Sequence, residues 1–197
     1  NLSWFMRRRM LGEVASVKRE LADLAGVPED ELVITRNTTE SLGTVIHGLT
    51  YAPGDEAVMC DQDYGSMLEQ FRQERQRHGL KCIEVDVPLH PKSDEELVDV
   101  YARAITPRTK VILVSHMINI TGQILPVKEV VAMARTKNGG IPVIVDGAHA
   151  LAHFEFKISD LACDFYGVSL HKWLFAPHGT GLLYVRKEKI KGLWPLM

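Results

Sequence analysis

The sequence predicts a single α/β domain, in which helices cover both faces of a mostly parallel β-sheet to give a three-layer αβα arrangement. Short apolar segments rich in β-branched residues alternate with longer segments of helical spacing, which is the pattern of successive β–α–β units. Two of the short segments, 110–114 and 142–146, have wholly apolar centres, as in strands buried on both faces. The chain contains no internal repeat and no long linker, so one domain is expected.

The first predicted element is an amphipathic helix over residues 3–24, in which apolar side chains recur every three or four positions. Gly26 and Pro28 follow it, and both are typical of a helix end. Apolar runs then predict strands at 32–35, 56–60, 81–85, 110–114, 142–146, 164–168 and 181–185. The intervening segments predict helices at 38–49, 64–78, 94–105 and 126–138. We expect right-handed crossovers through these helices to join the strands.

Composition and charge argue against several classes of protein. The net charge of -2 gives no electrostatic reason to expect a nucleic acid or an anionic membrane surface as a partner. No apolar run approaches the roughly 20 residues that span a bilayer. The 3 cysteines are too few and too scattered for a disulfide framework or a zinc site, so we expect no metal. Unpaired cysteines fit a reducing compartment, and we expect the cytoplasm.

Polar side chains follow several predicted strands at the point where each strand ends. In open α/β sheets the ligand binds outside the carboxyl ends of the strands, so these positions are the candidates for a site. They are the segments 36–40, 61–64, 115–119, 146–149 and 169–172. Such a concentration of chemically capable groups predicts a binding cleft at one edge of the sheet.

Three of these strand ends permit a specific chemistry, and each has an ordinary alternative. Thr38 and Thr39 place hydroxyls and backbone N–H groups at a helix start, which suits a phosphate or simply an N-cap. Asp146 ends a buried strand. It can pair with a protonated pyridine, bind a magnesium ion, act as a base or cap a loop. Lys172, beside Trp173, is either a neutral amine that forms a Schiff base with an aldehyde or a solvated lysine.

The order of the segments along the chain is more specific than any one of them. An anion-binding strand–helix turn is followed by Asp-Gly-Ala-His at 146–149, by Ser-Leu-His-Lys at 169–172, and by the glycine turn Pro-His-Gly-Thr-Gly at 177–181. In this order the sequence resembles the fold-type I enzymes that depend on pyridoxal 5'-phosphate (PLP). Within them it is similar to the class V aminotransferases, which include cysteine desulfurases and isopenicillin N epimerase-like proteins. The resemblance covers nearly the whole chain.

The resemblance implies that residues 1–197 are a PLP-binding large domain, and that the small carboxy-terminal domain of the family lies outside this chain. It implies that Lys172 forms the Schiff base with PLP and later moves protons, and that Asp146 pairs with the pyridine nitrogen. His149 would contact the ring hydroxyl, where desulfurases commonly have glutamine. The other implied contacts are a phosphate cradle of Thr38, Thr39, Ser169 and His171, the ring hydroxyl or substrate for Asn119, and the ring face for Tyr64.

Tyr64 departs from the desulfurase pattern, which has a histidine over the ring face. An aromatic side chain can still stack on the pyridine, but a phenol with a reference pKa near 10 is a poorer base at neutral pH. This departure, together with His149, favours epimerase-, aminotransferase- or lyase-like chemistry at Cα of an amino-acid-like substrate. The alternative within the family is a cysteine desulfurase or C–S lyase. The family resemblance also implies a homodimer.

Two alternatives from other classes stay open on the sequence alone. One is a protein that keeps the PLP pocket without catalysis. The other is a nucleotide-binding oxidoreductase of the α/β class. The second is disfavoured because no G-x-G-x-x-G motif follows the first predicted strand.

Overall fold

A computed structural model describes residues 1–194 of the chain. Its centre is one sheet of seven strands, β1 (Leu32–Thr35), β2 (Glu56–Cys60), β3 (Lys81–Val85), β4 (Thr109–Ser115), β5 (Val143–Asp146), β6 (Phe165–Ser169) and β7 (Gly181–Val185). The strands lie side by side in the order β1-β7-β6-β5-β4-β2-β3. β7 pairs antiparallel with both of its neighbours, and the other pairs among these described strands are parallel. The mostly parallel sheet predicted from the sequence is confirmed.

The helices of the described residues are α1 (Leu2–Arg8), α2 (Met10–Ala25), α3 (Thr38–Gly48), α4 (Gly65–His78), α5 (Asp94–Ala104), α6 (Val127–Arg135), α7 (Ile158–Leu161) and α8 (Lys187–Ile190). One apolar core lies between the sheet and helices α3 and α4, which contribute Ile46 and Phe71. The second core lies on the opposite face, where α2, α5 and α6 contribute Ala25, Tyr101 and Val130. These five side chains are fully buried, and each large one stabilises the fold by about 1.5–3 kcal/mol. The predicted three-layer arrangement is confirmed.

The predicted and observed elements differ mainly at the ends of helices. The first predicted helix is two helices, because Arg9 leaves helical geometry at φ -116° and α1 buries no side chain that would hold it in line with α2. Helix α6 ends at Arg135, well before the predicted residue 138, because Asn138, Gly139 and Gly140 have left-handed backbone conformations. Helices α7 and α8 have 4 residues each, too few for apolar periodicity to indicate them. Each strand agrees with its predicted bounds to within one residue.

The strand register brings the polar segments to one edge of the sheet. Ser115 at the end of β4 lies opposite Asp146 at the end of β5, and Ser169 at the end of β6 lies opposite Gly181 at the start of β7. The carboxyl ends of the parallel strands therefore form one continuous polar edge. None of the helices within residues 1–194 is both long enough and apolar enough to cross a membrane.

Candidate active site

The amino terminus of α3 and the end of β6 form one end of the site. The Asn37 side chain caps α3 by accepting a hydrogen bond from the Glu40 N–H at 2.8 Å. The Thr38 N–H donates to Ser169 Oγ at 2.9 Å, and the two hydroxyl oxygens lie 2.8 Å apart. A Cβ at Gly181 would lie 2.6 Å from Asn37 N, so only glycine permits this close approach. Hydroxyls and N–H groups thus converge at a helix amino terminus, an arrangement that stabilises anions.

Two stacked imidazoles stand beside this helix terminus. The ring centroids of His171 and His178 are 4.8 Å apart, and the planes differ by 28°. His171 Nδ1 lies 3.3 Å from the Thr180 carbonyl oxygen, so that nitrogen carries the proton and donates. Both rings border a cavity of about 320 Å³, which Arg36 and Thr39 also line. This end of the site therefore has hydroxyl, amide and imidazole groups, and within residues 1–194 no carboxylate bonds to the Thr38–Ser169 pair.

Asp146 lines the same cavity. Asp146 is only 5% exposed, and its Oδ1 accepts a hydrogen bond from the Ala148 N–H at 3.0 Å. Within the described residues this is the one hydrogen bond that the carboxylate accepts. Burial raises the pKa of Asp146, while the Ala148 hydrogen bond and the Lys172 charge act in the opposite direction. A buried carboxylate with unused acceptor capacity favours a cationic donor above it.

Lys172 lies in the turn after β6, and it lines the same cavity. Its Nζ is 3.0 Å from His149 Nε2 and 5.9 Å from the centroid of the Tyr64 ring. Burial lowers the pKa of Lys172, although the Asp146 charge opposes this shift. Burial also lowers the pKa of His149, and the nearby charges of Lys172 and His153 lower it further. Lys172 is therefore neutral at lower pH than an exposed lysine, and a neutral amine is a nucleophile.

The candidate residues all lie around two adjoining cavities. The first is the cavity of about 320 Å³ described above. The second is smaller, and Asn119 from the exposed turn after β4 is among the residues that line it. The nine residues predicted from the sequence line one or both cavities: Thr38, Thr39, Tyr64, Asn119, Asp146, His149, Ser169, His171 and Lys172. Their proximity is a fact of the structure, whereas their individual roles stay predictions.

Asp63 is buried beside the site and is not among the residues predicted from the sequence. Its Oδ1 accepts the Ser115 hydroxyl at 2.6 Å, and its Oδ2 accepts the Cys60 N–H at 2.8 Å. Burial raises the pKa of Asp63 to about 7, while the hydrogen bonds from Ser115 and Cys60 lower it and the Asp146 charge raises it. The available signal was a carboxylate directly before the predicted site residue Tyr64, at the end of a buried strand.

Trp173 is a second neighbour of the site to which the sequence analysis assigned no role. Its indole N–H donates to His149 Nδ1 at 3.3 Å. Its ring stacks on His153, with centroids 3.6 Å apart and an angle of 7° between the planes. The sequence signal was an aromatic residue directly after Lys172, which periodicity does not distinguish from a core residue.

Comparisons with known proteins agree with the geometry. The protein-family model described as aminotransferase class-V matches residues 6–197. Isopenicillin N epimerase of Streptomyces clavuligerus is 32% identical over 191 residues, which cover 97% of this chain and 48% of that protein. Cysteine desulfurase CsdA of Escherichia coli is 29% identical over 194 residues, which cover 95% of this chain and 46% of that protein.

A solved structure shows the same fold. The complex between the cystine C–S lyase C-DES and its reaction product cysteine persulfide has a TM-score of 0.90 and 27% identity, over 96% of this chain and 50% of that one. This chain thus spans about half the length of the curated relatives it matches. The family match covers nearly all of the sequence, and the site segments occur in the order expected from the resemblance. The chain belongs to the aminotransferase class-V family.

Proposed function

We propose that this chain is the PLP-binding large domain of an enzyme that acts at Cα of an amino-acid-like substrate. The position of Lys172 carries the proposal. Its half-buried amine lies 3.0 Å from His149 Nε2, and it borders the same cavity as the buried Asp146 carboxylate and the Thr38–Ser169 hydroxyl pair. An amine, an anion site and a buried carboxylate are the three groups that PLP requires.

The residues present fit PLP at each of its polar ends. The amino terminus of α3, with Thr38, Ser169 and His171, would bind the phosphate, because its N–H and hydroxyl groups donate to anions. The buried Asp146 carboxylate, which accepts a single hydrogen bond from the described residues, would meet the protonated ring nitrogen. His149 and Asn119 border the part of the cavity near Lys172 and would contact the ring hydroxyl.

When bound, PLP supplies an electrophilic aldehyde and a ring that takes up negative charge from the substrate Cα. Lys172 would hold the cofactor through its amine and, once released, would move a proton at Cα, since its pKa is lowered by burial. Asp146 would keep the ring nitrogen protonated. The Tyr64 ring, 5.9 Å from Lys172 Nζ, would cover one face of the cofactor and restrict water there.

Within this chemistry we favour epimerase-, aminotransferase- or lyase-like reactions. Isopenicillin N epimerase is among the relatives, and Tyr64 provides a phenol where a desulfurase would have an imidazole. A phenol is the poorer base at neutral pH, so proton transfer would fall to Lys172. The second candidate is a cysteine desulfurase or C–S lyase, which the close structural similarity to C-DES supports.

We also propose that the complete protein is a homodimer with a small carboxy-terminal domain, and that it works in the cytoplasm. Exposed large apolar side chains support a further covering surface, since Phe175, three residues after Lys172, is 86% exposed and Leu11 on α2 is 77% exposed. The cysteines of the described residues are free, which fits a reducing compartment.

Reduction with borohydride tests the proposed cofactor and its attachment point. Full-length protein purified with PLP is expected to absorb near the edge of the visible range. Borohydride should bleach that band and leave a pyridoxyl group on Lys172 in peptide maps. Lys172→Ala should abolish the labelled peptide, whereas the control Lys187→Ala should keep it, because Lys187 pairs with Asp30 on the surface. Label on another lysine, or no label at all, contradicts the proposal.

A further inference from the structure

Three ring side chains next to Lys172 contact one another in sequence, and we call them the His149 group: His149, Trp173 and His153. Trp173 Nε1 lies 3.3 Å from His149 Nδ1, while His149 Nε2 lies 3.0 Å from Lys172 Nζ. One imidazole therefore contacts the indole through one nitrogen and the lysine through the other. If His149 Nε2 carries the imidazole proton, it donates a hydrogen bond to Lys172, and if Nε2 is unprotonated, it accepts one.

The position of the Trp173 indole is also fixed by contact with His153. The Trp173 ring lies parallel to the His153 ring, with an angle of 7° and a centroid distance of 3.6 Å. His153 Nδ1 is 2.9 Å from the His149 carbonyl oxygen, so it donates a hydrogen bond to the backbone of His149. The stack and this hydrogen bond together fix the indole N–H toward His149 Nδ1.

An indole N–H can only donate, so His149 Nδ1 must accept. A neutral imidazole whose Nδ1 accepts carries its proton on Nε2. That Nε2–H faces Lys172 Nζ at 3.0 Å, and a hydrogen bond between them requires a lone pair on the lysine nitrogen. A neutral amine has this lone pair, whereas an ammonium group has only donors and would face a second donor.

We propose that Trp173 is a positioning residue that fixes His149 in the Nε2–H tautomer and thereby favours the neutral amine of Lys172. Burial acts in the same direction, since it lowers the pKa of both Lys172 and His149. The use of the amine rests on the proposed function, but the tautomer is a property of this chain without any cofactor. The arrangement prepares a nucleophilic amine before an aldehyde arrives.

Other titratable groups near Lys172 do not explain this preference. The groups that face its amine are the Asp146 carboxylate, the Tyr64 phenol and His149, with His153 beyond His149. The Asp146 charge favours the ammonium form and so opposes the effect. Among these neighbours, His149 is the one that can donate a hydrogen bond to a neutral amine while a partner fixes its tautomer.

Nitrogen NMR of the cofactor-free, full-length protein tests the tautomer directly. Histidine labelled with ¹⁵N distinguishes a protonated from an unprotonated ring nitrogen, and His149→Gln identifies the His149 signals by their loss. We expect wild-type His149 to be protonated at Nε2 and unprotonated at Nδ1. Trp173→Phe keeps an aromatic ring against His153 but removes the N–H, so protonation at Nδ1 should become populated. The control Trp4→Phe removes an indole N–H from exposed α1 and should change nothing.

The reactivity of Lys172 provides the second readout. Pyridoxal is used as the probe, because the amine adds to its aldehyde with loss of water, and borohydride then reduces the C=N bond for mapping. In Trp173→Phe the pH at which half of Lys172 reacts should rise. Its rate of labelling at neutral pH should fall about threefold to tenfold, the value of one hydrogen bond. Trp4→Phe should label as the wild type does.

Two results would overturn the inference. One is wild-type His149 protonated at Nδ1, which needs no variant and so does not depend on whether Trp173→Phe folds. The other is a Trp173→Phe protein whose His149 signals and Lys172 pH profile equal those of the wild type. A wild-type protein that has the Nε2–H tautomer but fails to bind PLP supports the inference and contradicts only the proposed function.

Discussion

At the scale of single residues, burial sets the behaviour of the ionisable groups in this site. Lys172 and His149 have their pKa lowered by burial, and Asp146 and Asp63 have theirs raised by the same cause. All four are thus shifted toward their neutral forms in the chain without ligand. A bound cation or hydrogen-bond donor would stabilise the charged form of Asp146. We therefore expect a ligand to place such a group beside this carboxylate.

We predict that Asp146→Asn leaves a folded protein that still binds PLP but turns over about 100-fold more slowly. The amide keeps the shape of the carboxylate and its acceptor for the Ala148 N–H, but it has no charge to hold a proton on the ring nitrogen. Steady-state kinetics on the full-length protein measure the loss. The exposed Asp160→Asn serves as control and should be fully active. Activity of Asp146→Asn within a few-fold of the wild type would contradict the role.

Asp63 gives a prediction about stability and pH. Burial raises its pKa from 3.8 to about 7, so the folded protein binds this proton more tightly than the unfolded chain. The contribution to stability is complete below the unfolded pKa and is lost as pH rises through the folded pKa of about 7. Asn in its place imitates the protonated form, because one atom accepts from Cys60 and the other donates to Ser115.

The difference in unfolding free energy, Asp63→Asn minus wild type, should therefore grow with pH between the two pKa values by about 1.4 kcal/mol per unit. Above the folded pKa it should level off. Urea unfolding of the cofactor-free protein at a series of pH values measures it. Asp86→Asn, at an exposed position, is the control and should show no such slope. A difference that stays constant with pH would mean that Asp63 titrates like an exposed aspartate.

At the scale of elements, the site depends on how closely α3 approaches the β6–β7 pair. Asn37 caps α3 from within, and Thr38 attaches the helix terminus to Ser169 at the end of β6 through both its N–H and its hydroxyl. The antiparallel β7 begins at this edge with Gly181, whereas the parallel strands end there. The lack of a side chain at Gly181 thus permits the start of α3 to lie against this strand.

Gly181→Ala should weaken PLP binding and destabilise the fold by about 1–3 kcal/mol. The added Cβ would lie 2.6 Å from Asn37 N and 2.7 Å from Thr35 Oγ1, so the start of α3 must move away from Ser169. Fluorescence titration with PLP and urea unfolding measure the two effects. The control is Gly12→Ala in α2, where the added Cβ would meet no described atom within 4 Å apart from its own helix backbone and chain neighbours, and a slight gain in stability is expected. Unchanged PLP affinity in Gly181→Ala would show that α3 tolerates the shift.

At the scale of the whole molecule, we propose that this chain holds the cofactor and that surfaces outside it select the reaction. The matched relatives are about twice as long as this chain. The candidate residues for cofactor chemistry nevertheless all lie within this half, around the two adjoining cavities.

The reaction type can be tested on the full-length protein with a panel of amino acids in deuterated water. We expect Cα deuterium exchange with at least one amino acid other than cysteine, because position 64 has a phenol in place of the imidazole of a desulfurase and Lys172 is the proposed proton carrier. Sulfide release from cysteine is followed in parallel, with Lys172→Ala as the inactive control. Rapid sulfide or persulfide formation from cysteine, with no exchange of other amino acids, would favour the desulfurase alternative.

The sequence by itself determined the architecture and the positions of the candidate residues. Wholly apolar strand centres and alternating helical segments identify a buried parallel sheet, because both signals are local and repeated along the chain. The same alternation locates each strand end, and polar residues at five of these ends indicated the cleft. The resemblance in motif order then identified the family, which the family match confirms.

Only the tertiary structure decided how those residues face one another. Periodicity carries no information on contacts across 52 positions, the separation of Asp63 and Ser115, or on the hydrogen bond from Trp173 to His149. The break at Arg9 likewise depends on a lack of buried contacts for α1, not on a helix-breaking residue. The sequence thus determined which groups are present, and packing determined which of them are buried, paired and shifted in pKa, because burial and hydrogen bonding arise only when distant segments meet.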